Sequence, residues 1–173
     1  MDLHLPSYHW EHRLPHWPAA AVAGLVAGAV LMLLDLLWSA LILGESPWRT
    51  SHLIAAIVLG PDALASAEFG LGVVSAALVT HYVLGVVFGL ALAFIVAGFH
   101  WDAQPAVMLG AGALFGLALY VLDFHVMTQF FPWFAELRGW PTFIAHLVFG
   151  VVAALLYWKL NPQADGGLRR RAG

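Results

Sequence analysis

Apolar residues collect in four long runs along this chain, roughly 17–43, 72–97, 106–131 and 142–158, and polar residues fall mostly between them. At ~1.5 Å per residue such runs suit helices crossing ~30 Å of hydrocarbon, the fourth being the shortest. A fifth apolar stretch, from His52 to Leu64, is too short to span and is interrupted by Gly60-Pro61. It reads as an interfacial or re-entrant helix near 52–65, packed over the outer mouth of a bundle.

The first and third runs share a pattern, and so do the second and fourth. Gly24-x3-Gly28-x6-Asp35 recurs as Gly112-x3-Gly116-x6-Asp123, and His81-x3-Gly85-Val86-Val87 recurs as His146-x3-Gly150-Val151-Val152. The expected fold class is therefore an all-α membrane protein: four transmembrane helices as two tandem helical-hairpin repeats, with a short outer-face interfacial helix. The segments are an N-terminal interfacial stretch at 1–16, a first repeat at 17–97 carrying the inserted helix, and a loop at 98–105. A second repeat at 106–158 and a basic tail at 159–173 follow. Both copies enter the membrane in the same direction, which implies a pseudo-two-fold axis along the membrane normal.

Composition fixes the class. Of 173 residues, 62% are hydrophobic and 10% charged, whereas a soluble domain carries about a quarter charged residues. Arg13 precedes the first run and Lys159, Arg169, Arg170 and Arg171 follow the fourth, while the other loops hold only Arg49 and Arg138. The positive-inside rule then puts both termini in the cytoplasm. Three arginines in a chain of net charge -3 make a lipid-touching tail, not a nucleic-acid site. With no cysteine, neither disulfides nor thiolate metal sites form. Trp48, Trp133 and Trp140 are expected in an outer aromatic belt, Trp101 and Trp158 in an inner one. His9 and His12 share a face in the leader, where interfacial packing competes with metal binding or pH sensing.

The chemistry sits in the repeated residues. A carboxylate inside a span costs about 2.5 to 3.5 kcal/mol on insertion scales, so Asp35 and Asp123 require partners or a task. Helical phase puts Gly24, Gly28 and Asp35 on one stripe, and Gly112, Gly116 and Asp123 on another. The glycines (Gly24, Gly28, Gly112, Gly116, Gly85 and Gly150) are helix-packing positions. Gly85 and Gly150 also leave room beside His81 and His146. Depth along the helices brings Asp35 to His81 and Asp123 to His146 in the outer half of the bundle, with His146 nearer the surface.

Three readings stay open for this cluster. It fixes helix register through Asp-His hydrogen bonds; it binds a metal, a b-type haem or a partner group; or it relays protons or cations, with Asp35, His81, Asp123 and His146 as steps. His125 points about 200° away from Asp123 and falls outside the repeat. With Trp133, Trp140 and Arg138 it marks an interface for a second copy or a larger membrane complex. No Ser/His/Asp signature, phosphate loop or zincin motif occurs, so the expectation is a non-enzymatic accessory or self-associating component.

Leu53-Ile-Ala-Ala-Ile-Val-Leu-Gly60, His81-x3-Gly85, Gly116-Leu-Ala-Leu-Tyr120, Phe131-Pro-Trp-Phe134-x3-Arg138-x-Trp140 and His146-x2-Phe149-Gly150 together carry a resemblance. They resemble a family of small four-helix bacterial inner-membrane proteins to which no function is assigned. A sodium:proline symporter label on some members does not suit this chain, because that family needs many more helices and a broken-helix sodium site. Relatives often have Asn and Tyr at the positions of Asp123 and His125, which implies that His81 and His146 are the essential members.

Overall fold

The structure is a computed structural model that describes residues 14–101 and 104–162. The leader histidines His9 and His12 and the Arg169, Arg170 and Arg171 tail lie outside the described residues. The described residues form five α-helices: α1 Trp17–Trp38, α2 Arg49–Leu59, α3 Leu71–Gly98, α4 Pro105–Val121 and α5 Trp140–Leu160. No strand occurs among the described residues. A π-helical turn, Ser39–Leu43, prolongs α1, and another, Leu122–Val126, prolongs α4 before a 3-10 turn at Met127–Gln129. With these extensions four helices, Trp17–Leu43, Leu71–Gly98, Pro105–Gln129 and Trp140–Leu160, are long and apolar enough to cross a membrane. The protein is a multi-pass, all-α membrane protein.

Local sequence sets the helix ends. Pro18, Pro105 and Pro141 stand in the first turns of α1, α4 and α5, where a missing N–H costs nothing. The imidazole Nδ1 of His16 accepts from the Ala19 amide at 3.3 Å and caps α1, while the His16 amide donates to the Tyr157 hydroxyl at 3.3 Å. That second bond ties the start of α1 to the end of α5. Helix α2 begins at Arg49, a turn earlier than the apolar pattern suggests, and stops where Gly60 turns to φ 86° ahead of Pro61. A 3-10 turn, Pro61–Ala65, completes the inserted element.

Packing follows the glycine stripes. Lipid tails are as apolar as leucine, so close backbone approach, not hydrophobicity, joins spans. A Cβ placed on Gly24 would overlap the Gly85 carbonyl and lie 3.0 Å from Gly89 Cα, which seats α1 on α3. In the second repeat a Cβ on Gly112 would come within 2.5 Å of the Gly150 carbonyl, which seats α4 on α5. Buried alanines continue both seams: Ala20, Ala27, Ala93, Ala153 and Ala154 are fully covered. The large residues face outward, as Leu33, Val79 and Leu114 do, and a lipid bath covers such surface.

The hairpins do not meet symmetrically. Helix α1 packs along α5, whereas α3 and α4, the pair a two-fold axis would make equivalent, barely touch. The element unique to the first repeat, α2, leans on α3 at the same end of the bundle. The result is a wedge between α3 and α4 under the end capped by α2. The opposite half is closed: Leu92, Val96, Met108, Ala153 and Ala154 are each at most 2% exposed.

Candidate functional site

Under α2 the wedge is a cavity of about 330 Å³, lined by residues of all four spans. Asp35 of α1, His81 of α3, Asp123 of the second π turn and His146 of α5 all border it. Its other walls are apolar, with Leu31, Leu119 and five phenylalanines among them, and α2 covers it with Thr50, Ile54 and Ile57. Leu84 of α3 and Leu122, at the end of α4, line the cavity and are both 38% exposed. No other residue lining the cavity is as exposed, so its mouth lies between these two leucines.

His81 and His146 are anchored differently. The Nε2–H of His81 donates to the Gly28 carbonyl at 2.8 Å, not to Asp35. The expected Asp35–His81 pair is not formed, because the backbone carbonyl of α1 takes the Nε2 proton of His81 instead. His146 keeps its expected partner: Nε2 lies 3.4 Å from Asp123 Oδ2, and Nδ1–H donates to the Thr142 carbonyl at 2.8 Å. A carbonyl only accepts, so the Nδ1 proton is committed. The contact to Asp123 then depends on one further proton, carried either by the imidazole Nε2 or by the carboxyl. Phe124 and Tyr120 pack edge-on against the ring, with centroids 5.2 and 6.2 Å away.

The π turns explain why two equal sequence patterns give unequal pairs. A π turn inserts one residue per turn and rotates the helix beyond it by about 100°. In the second repeat it includes Asp123; in the first it falls after Asp35, at Ser39–Leu43. It also exposes the Phe124 carbonyl, which accepts from Arg138 Nε at 2.6 Å, while Arg138 Nη2 donates to Thr128 at 2.9 Å. Arg138, placed at an interface by sequence, is thus spent on holding the π turn. Asp35 has no hydrogen-bond or ion-pair partner among the described residues, though it lies within electrostatic reach of His146. With His81 it also borders a second cavity of about 160 Å³ between α1, α2 and α3.

The remaining sequence candidates separate cleanly. The Trp133 indole donates to the Leu53 carbonyl at 3.0 Å, so it joins the 132–137 turn to α2. His125 is exposed, with its ring edge-on to Tyr120 at 5.7 Å, and Trp140 is 77% exposed. The two α3 and α5 glycines are filled: Gly85 by the Gly24 carbonyl and Gly150 by the backbone of Gly112 and Gly116. They are packing positions, so the room expected at these two glycines is taken by the neighbouring helices. The donor set does not fit a metal. Among the described residues no three His, Asp or Glu side chains lie close enough together to hold a metal ion.

Sequence reasoning placed a helix over the mouth but missed the residues that fasten it and face the cavity. His52 is buried at 5% exposed, with Nδ1 2.6 Å from the Ala63 carbonyl and Nε2 2.8 Å from the Glu68 carbonyl. It fastens the loop between α2 and α3 from both ring nitrogens, and both bonds form together only in the doubly protonated ring. Arg49 lies between Glu45 at 2.9 Å and Glu136 at 2.7 Å, and those carboxylates hold its pKa above the ordinary value. The second of these pairs crosses from α2 to the other repeat. The signal available in sequence was Ile54 and Ile57, three apart on α2, with Thr50 one turn earlier. Set against known proteins, the chain matches no family model, no curated protein and no solved structure.

Proposed function

We propose that this membrane protein is a non-enzymatic binder of a lipid-soluble organic molecule, received in the cavity between α3 and α4. The single observation that carries this is the combination of an apolar chamber of about 330 Å³ with a few converging polar groups and a mouth on the lipid face. Small-molecule sites generally have volumes of roughly 300–1,000 Å³ and this balance of apolar wall to polar anchor. In this reading the carboxyls and imidazoles of Asp35, His81, Asp123 and His146 recognise the polar end, and α2 covers the chamber. The resemblance to small bacterial inner-membrane proteins and the distribution of arginines support placing the termini in the cytoplasm, so the chamber lies in the outer half of the bilayer.

The relay reading has one observation in its favour, since Asp35 and His81 stand between two cavities. It is opposed by the other half of the bundle, where Leu92, Val96 and Met108 pack without exposed surface to spare. A protomer built this way receives a ligand from one leaflet and does not conduct.

The test is the composition of the protein purified from native membranes. The expected result is about one equivalent of a small organic molecule by mass spectrometry, with no Soret band and no stoichiometric metal. Leu119→Trp, which places an indole in the chamber from a position only 5% exposed, should keep the fold and lose that molecule. Haem or metal at stoichiometry, reduced in His81→Ala, would replace this reading. So would an identical organic content in Leu119→Trp.

A further inference from the structure

The polar groups of the chamber do not balance in charge. It is bordered by two carboxyl groups and two imidazoles, and by no lysine or arginine. One imidazole, His146, is paired with Asp123. The other, His81, gives its Nε2–H to the Gly28 carbonyl and serves no acid. Asp35 is left with no hydrogen-bond or ion-pair partner among the described residues. Its oxygens are not sealed off, because the described residues contain no buried side-chain oxygen lacking a partner. Asp35 borders the chamber and the smaller cavity beside it.

An ionised carboxyl only accepts hydrogen bonds, so the group that completes Asp35 must bring a proton donor or a positive charge. The walls favour the charge. Phe88, Phe124, Phe131, Phe134 and Phe149 border the chamber, and aromatic rings attract cations through their quadrupole most strongly where water is excluded. A mouth flanked by Leu84 and Leu122 on the lipid face selects for molecules already dissolved in the membrane. Resting on the ligand-binding reading above, we infer that the chamber takes an organic monocation with an apolar body, whose positive charge is set against Asp35. His146 and Asp123 are already paired with each other.

The probe is tritiated tetraphenylphosphonium, bound at equilibrium to the full-length protein in detergent, with uncharged triphenylphosphine oxide as competitor. The expected result is saturable binding near one per protomer that the neutral compound displaces at least tenfold more weakly than unlabelled cation. Asp35→Asn should lower affinity for the cation by tenfold or more. Asp35→Glu should recover most of it, and Asp62→Asn, an exposed acid in the 3-10 turn after α2, should change nothing. A melting curve on each variant separates lost binding from lost fold. Cation affinity unchanged in a folded Asp35→Asn overturns the inference. If both compounds bind equally and Leu119→Trp abolishes both, the charge preference fails while the ligand chamber stands. If neither binds, the chamber reading fails with it.

Discussion

Gly150→Ala should break the second hairpin, with the largest stability loss of any single methyl group added to this protein. The new Cβ would overlap the Gly112 carbonyl oxygen and lie 2.7 Å from the Gly116 nitrogen. Both obstacles are backbone, so relief requires α4 and α5 to separate along their whole seam, not a side-chain rotation. Overpacking in a tight core costs typically about 1–3 kcal/mol and sometimes more, and a seam made only of small residues has no slack to spread the strain. Reversible unfolding in mixed micelles should show a loss of ~3 kcal/mol or greater. Gly110 provides the control: it is on α4, exposed, with nothing within 4 Å of a methyl group added there. Gly110→Ala should be neutral or stabilising by up to about 1 kcal/mol, because alanine has the better helix propensity. Equal effects at the two glycines would mean that the α4–α5 seam is not where the backbone approach occurs.

His146→Ala should produce the second large effect, and its size should depend on Asp123. The substitution removes the proton donor to the Thr142 carbonyl and the only ion-pair partner of Asp123 among the described residues. Leaving a carboxylate unpaired in a low-dielectric site costs several kcal/mol when fully buried. Here the Asp123 side chain is 29% exposed, so the expected loss is about 1–3 kcal/mol. In a double-mutant cycle with Asp123→Asn the two changes should couple by about 1 kcal/mol, above the ~0.6 kcal/mol average of membrane-embedded hydrogen bonds. The same cycle built on Asp35→Asn and His81→Ala should show little coupling, since His81 bonds to Gly28 and not to Asp35. A strong Asp35–His81 coupling would restore the symmetric pairing that the repeat in the sequence implies.

The four spans and the covering helix are legible from run length alone, and the glycine stripes from spacing. Helical phase and depth bring Asp35, His81, Asp123 and His146 towards one region of the bundle, where they border one chamber. What helical phase misses is any departure from it. Two π turns, at Ser39–Leu43 and Leu122–Val126, fall at different distances from the two aspartates and break an exact repeat of spacing into unequal geometry. Backbone acceptors are equally invisible: Gly28, Thr142, Ala63 and Glu68 hold three histidines through carbonyl oxygens, and a carbonyl leaves no trace in the residue type. The opening between α3 and α4 has the same origin, since a repeat predicts equivalent contacts and only the inserted α2 distinguishes the copies. His125 and Trp140 remain on the outside, away from the chamber.

The central claim is that the chamber under α2 is open to molecules dissolved in the bilayer, while the other half of the bundle is closed. Leu119 and Leu92 discriminate these directly, for they are almost equally buried, at 5% and 2% exposed, yet only Leu119 borders the chamber. Photo-leucine incorporated in place of leucine changes neither shape nor polarity appreciably, and its carbene inserts into whatever lies against it. After irradiation in lipid bilayers, peptide mass spectrometry should find lipid or small-molecule adducts at Leu119 and only protein–protein crosslinks at Leu92. Silence at both positions, or adducts at both alike, would contradict a ligand chamber reached from the membrane.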